Sequence, residues 1–149
     1  MARYYPVSAL FWTDRKVLSW PERERYLALY LLTSEHRNLE GLYRLPLAYV
    51  QADLDWSAEE TEEHMGNLIT NGFAEYDRDV NVVFLPKAMK YHQPKSKLQI
   101  QGAINVLQQI PPTSLWPSFM AAAERFAPEF HAALKPLSTG ESIEPEEEE

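Results

Sequence analysis

The sequence has 149 residues, 45% of them hydrophobic and 12% aromatic, with a net charge of −8 and no cysteine. A chain this long buries about 70% of its unfolded surface, so a hydrophobic core can form without staples. The missing cysteines exclude disulfides, thiolate metal sites and cysteine nucleophiles, and they fit a reducing compartment, so a cytoplasmic location is expected.

Residues 1–12 lack the basic patch and apolar run of a secretory signal, and no apolar stretch approaches a membrane span. Ser19, with Glu22 three residues on and Pro21 in the first turn, predicts the first helix, with Leu27, Tyr30 and Leu31 facing a core. Residues 41–45 read as a short strand. Pro46 starts a second helix with Leu47, Val50 and Leu54 inward. Ser57 and Glu60 predict a capping box opening a third helix, whose inner face is Met65, Leu68 and Ile69 and whose stop is Asn71-Gly72. Two short strands over 73–77 and 81–85 flank a turn at Arg78-Asp79-Val80.

Beyond them, a helix is predicted from Ser96 to Gln109, with Ile100, Ala103, Ile104 and Leu107 on one side. Pro111-Pro112 breaks it. A further helix starts near Thr113 with the stripe Trp116, Phe119, Met120, Ala123, Phe126, Phe130 and Leu134, kinked or restarted at Pro128. Past Pro136 the composition is Ser, Thr, Gly, Pro and Glu, which predicts a tail or linker unable to order itself.

The expected fold is therefore mainly α with a small β-hairpin wing (α+β). Two helices joined by about three residues and trailed by a hairpin make a winged helix-turn-helix, followed by a C-terminal helical extension. The expected division is a winged-helix domain over residues 1–93, the extension over 94–136 and a disordered acidic tail or linker over 137–149.

Ala2-Arg3-Tyr4-Tyr5 followed by Phe11-Trp12-Thr13-Asp14 resembles the opening of phage replication-initiation, or replisome-organiser, proteins. So does the run Lys90-Tyr91-His92-Gln93-Pro94 to Gly102-Ala103-Ile104, followed by Ile110-Pro111-Pro112. Relatives of that family include the N-terminal domain of DnaD-like primosome proteins. The resemblance covers about residues 1–130 and implies a winged helix, DNA binding, self-association and recruitment of a replicative helicase or its loader.

The charge map decides where DNA could be met. Residues 1–79 sum to −6, residues 80–140 to +4 and residues 141–149 to −6, and no acid occurs over 80–123. The third helix, the usual major-groove reader, opens with Glu59, Glu60, Glu62 and Glu63. Those carboxylates support the helix dipole and repel phosphate. The turn at Asp77-Arg78-Asp79 is no better as a phosphate clamp. The basic segment is the stronger candidate: Lys87, Lys90, Lys95 and Lys97, with Tyr91 and His92 among them, suit backbone neutralisation with some base stacking. Arg3, Arg15, Lys16 and Arg44 extend this surface if the fold gathers them. Its bland alternative is a solvated linker.

The stripe residues Trp116, Phe119, Met120, Phe126 and Phe130 are either core packing or the interface of a homodimer or partner. His36, His64, His92 and His131 lack metal-ligand spacing and are expected at the surface or in caps. With no glycine-rich phosphate loop and no nucleophile motif, neither an enzyme nor a cofactor is expected. Three functions compete: a DNA-binding module of replication initiation, a protein-only adaptor, and a transcriptional regulator.

Overall fold

The computed structural model describes residues 4–138. The expected tail lies almost wholly outside them, as does Arg3.

The protein is mainly helical, with one small antiparallel sheet. A 3-10 turn at Phe11–Thr13 leads into α1 (Arg15–Leu18), and Asp14 caps α1 by accepting from the Lys16 and Val17 backbone N–H groups at 2.8 and 3.3 Å. Then follow α2 (Glu22–Thr33), β1 (Leu42–Arg44), α3 (Leu47–Leu54) and α4 (Ala58–Thr70). The strands β2 (Glu75–Asp77) and β3 (Val82–Phe84) precede α5 (Ala88–Tyr91), α6 (Lys97–Leu107), α7 (Trp116–Phe126) and α8 (Pro128–Ser138).

The first predicted helix starts later than its sequence suggests. Ser19 does not cap α2: it ends α1 instead, its hydroxyl donating to the Lys16 carbonyl at 2.5 Å, and Pro21 takes the N-cap place without a side-chain hydrogen bond. Ser19 itself holds a helical conformation, φ −75° and ψ −14°, as the end of the turn that Asp14 opens, so it cannot serve as an N-cap. At Ser57 half of the predicted box forms: the hydroxyl accepts from the Glu60 N–H at 3.1 Å, but the Glu60 carboxylate turns to Arg23 at 3.5 Å. The complete capping box sits at Ser96 and Gln99, opening α6. Asn71 and Gly72 end α4, with Gly72 at φ +84°. Pro128 restarts the last helix and Pro136 lies inside its final turn.

The sheet has the order β1-β3-β2, so the strand before α3 pairs beside the hairpin: Leu42 faces Phe84 and Arg44 faces Val82, while Glu75 faces Phe84 across the other edge. Side chains alternate across a strand, and both faces of β1 and β3 are buried. On one face Tyr43 and Val83 join Leu27, Leu31, Met65 and Leu68 of α2 and α4. On the other, Leu42, Val82 and Phe84 join Ile104, Phe119, Phe130 and Leu134 of α6–α8. The sheet is thus the middle layer between two helical layers. Asp77, on the second face, holds the α7 approach: it accepts from the Thr113 hydroxyl at 2.7 Å and the Ser114 N–H at 3.0 Å. Among the described residues no helix is long and apolar enough to cross a membrane.

Candidate nucleic-acid interface

Pro86 closes β3, and the chain makes a single turn of helix, α5. Ala88 and Met89 point into the two cores, which leaves Lys87, Lys90 and Tyr91 outside. The Gln93 amide donates to the carbonyls of Met89 and Lys90 at 2.6 and 3.0 Å and so terminates the turn. Gln99 then accepts from the Lys95 N–H at 2.9 Å and fixes the entry to α6, whose inner face, Ala103, Ile104 and Leu107, leaves Lys97 and Leu98 exposed. The four lysines therefore stand on a backbone held by caps and anchors rather than on a loose linker. None of them has an acidic partner within 4 Å among the described residues. The Lys90 ammonium lies 5.6 Å from the centre of the exposed Tyr91 ring.

Lys87 and Tyr91 share a cleft of about 240 Å³ with Lys16, which reaches across from α1 toward Gly72. The cleft floor is apolar, with Phe11, Val17, Trp20 and Phe73 among its residues. Arg15, beside Lys16, is exposed. Arg44 is exposed but stands opposite Val82, at the other end of β3 from Lys87, so the fold does not gather it with the lysines. Arg3 lies outside the described residues.

The third predicted helix, α4, presents its acids as partners for arginine. Glu60 pairs with Arg23 at 3.5 Å, and Glu62 with Arg78 of the β2–β3 turn at 2.8 Å. That pairing leaves Arg78 committed to a carboxylate, and Glu59 and Glu63 remain exposed.

The aromatic stripe lies largely within the second core. Phe119 and Phe130 are fully buried and meet edge to face at 6.2 Å, while Trp116, Met120 and Phe126 are half-buried at its margin. The Trp116 ring stacks on Phe119 at 5.3 Å. Phe119 and Phe130 thus pack inside their own chain; of the stripe, only Trp116, Met120 and Phe126 offer surface to a second copy.

His64 is no surface residue. Its Nδ1 lies 3.0 Å from Oε1 of Glu24, a carboxylate 2% exposed between α2 and α4, and the Asn67 amide donates to the same oxygen at 2.5 Å. Burial pushes the Glu24 carboxyl up, but the hydrogen bonds from His64 and Asn67 outweigh it and hold the group below its ordinary value. Oε2 of Glu24 has no partner among the described residues. This network acts as a polar tie in the first core, and no group of three His, Asp or Glu among the described residues is placed to hold a metal.

A second hollow, about 670 Å³, escaped the sequence reading. It is lined by Trp12, Glu22, Arg23, Arg25, Tyr26 and Trp56. The Arg23 guanidinium lies 5.8 Å from the centre of the Trp56 ring, and Tyr26 lies 6.1 Å from the same ring. Tyr26, exposed on the side of α2 away from the buried Ala28 and Leu31, was the available signal: an aromatic on the polar side of an amphipathic helix. No family model, curated protein or solved structure matches the chain.

Proposed function

We propose that the chain is a nucleic-acid-binding module of the winged-helix kind that meets the phosphate backbone through its lysine edge. In this reading α2, α3 and α4 form the three-helix part, β2 and β3 the wing, and β1 the strand that ties the wing to the helices. Acting in phage-type replication initiation, with recruitment of a replicative helicase or its loader and pairing with a second copy, follows from the family resemblance. The observation that carries the binding reading is the set Lys87, Lys90, Lys95 and Lys97, exposed and without acidic partners among the described residues, on a stretch with no acid from residue 80 to 123. Lys16 shares a cleft with Lys87 alone of the four and adds a further cation beside it.

If each of the four lysines neutralises one duplex phosphate, together they contribute about −3.6 to the slope of log K against log salt. Lys95→Ala with Lys97→Ala is expected to make that slope shallower by roughly 1.8, on all sequences alike. A salt titration of duplex binding measures it, and an unchanged slope in the double variant would place the phosphate surface elsewhere.

The exposed Glu59 and Glu63 on α4 favour a second reading, a protein-only adaptor that docks a basic partner there. It predicts no retention on DNA at any salt concentration.

A further inference from the structure

We propose that the hollow lined by Trp12, Glu22, Arg23, Arg25, Tyr26 and Trp56 is a stacking site for unpaired nucleobases, so that the preferred ligand is a single strand; this rests on the nucleic-acid reading above. Three observations on separate segments converge there.

The first is exposure. Trp12 is 55% exposed and Tyr26 51%, large apolar rings left in water on the wall of one concavity, with the half-buried Trp56 beside them. Rings of this kind accept any base, because every base has a π-face.

The second is the pair of guanidinium groups. Arg23 lies over Trp56 but keeps 55% of its side chain exposed, and its acidic partner among the described residues, Glu60, is a surface contact at 3.5 Å that a phosphate can displace. Arg25 carries a buried Nε–H with no hydrogen-bond partner among the described residues, on a side chain that lines the hollow. Guanidinium groups also stack on bases and grip phosphate in a fork.

The third is continuity. Phe11 and Trp12 are neighbours meeting edge to face at 5.0 Å; Phe11 lines the lysine cleft and Trp12 lines the aromatic hollow. The turn carrying them is therefore a ridge between the two. A flexible strand can cross it with phosphates on Lys16 and Lys87 and bases on the exposed rings of Trp12 and Tyr26. A stiff duplex cannot present bases to these rings without unpairing.

Contact through the lysines alone predicts that affinity does not depend on Trp12; base stacking predicts that single-strand affinity does. The test titrates the whole chain with a thymidine dodecanucleotide and with the matching duplex while tryptophan emission is read. The single strand is expected to quench emission and bind more tightly. Trp12→Ala is expected to weaken single-strand binding about tenfold, and Trp12→Phe, which keeps a ring, to restore most of it. Arg25→Gln is expected to weaken it as well, while duplex binding by all three variants stays at the wild-type level. Single-strand affinity unchanged in Trp12→Ala overturns the proposal while leaving lysine-dependent duplex binding standing. A hollow inert to the oligonucleotide also overturns it and assigns the exposed rings to a protein partner.

Discussion

At the scale of single residues, two buried carboxylates hold elements together by accepting from neighbours. Glu24 ties α2 to α4 through His64 and Asn67, and Asp77 ties the sheet to the start of α7. The Thr113 hydroxyl, ahead of the Ser114 and Asp79 N–H groups, holds the Asp77 carboxyl below its usual range against a burial that pushes it up. Both groups are depressed in the fold. Each therefore contributes stability that is complete above its unfolded value, about 4, and is lost as pH falls through its lower folded value. Melting temperature measured against pH is expected to drop on the acid side of about pH 4, and Asp77→Asn to flatten that drop. His64→Ala leaves a buried carboxylate with one side-chain donor fewer, which is expected to cost about 1–3 kcal/mol. A urea midpoint at neutral pH that does not move would show that the tie to His64 contributes nothing.

At the scale of elements, the contact between β1 and α5 sets where the lysines stand. Gly41 has φ +81°, and a Cβ there would lie 2.5 Å from the Ala88 Cβ, with the Leu85 carbonyl at 3.3 Å. Gly41→Ala must therefore both strain the backbone and push α5 outward. A loss of about 2–3 kcal/mol is expected, together with altered amide shifts at Lys87 and Lys90. If calorimetry shows wild-type stability, the close approach is more yielding than this geometry allows. The same junction shows what the sequence could and could not disclose. The periodicity of Leu27 with Leu31 and of Met65 with Leu68 reads directly as two buried helix faces, and Ser57 reads directly as a cap, because those signals are local. The partner of β1 does not, since Leu42 and Phe84 meet across about 40 residues of chain. Nor does α5, a four-residue turn too short for any period to develop. The lysine edge was legible from charge alone. The aromatic hollow was not, because Trp12, Tyr26 and Trp56 come from three segments, the 3-10 turn, α2 and the link between α3 and α4, that only the tertiary fold gathers.

At the scale of the whole molecule, β1 and β3 belong to both cores at once. Val83 and Tyr43 serve the first, and Val82, Leu42 and Phe84 the second. Adjacent residues on a strand cannot lose their order separately, so the expected behaviour is one cooperative transition for residues 4–138. Coincident unfolding curves from far-ultraviolet circular dichroism and tryptophan emission would meet that expectation; a first transition confined to α6–α8, leaving a stable fragment of residues 1–93, would contradict it. Phe130→Ala, which opens a cavity in the second core, is expected to lower that single midpoint by an amount equivalent to about 3–5 kcal/mol.

The shared sheet also imposes an order in time. Leu42, Val82 and Phe84 have all been synthesised by residue 84, but the helices that cover them are complete only at residue 138. At about 5–20 residues per second, the remaining stretch of roughly 50 residues takes several seconds to make. Throughout that interval the chain cannot complete its single cooperative transition, so the apolar residues of β1 and β3 stay uncovered, and exposed apolar surface invites aggregation. Its yield in a cell thus depends on how fast the ribosome moves through α6–α8 and on what shields the half-made protein meanwhile.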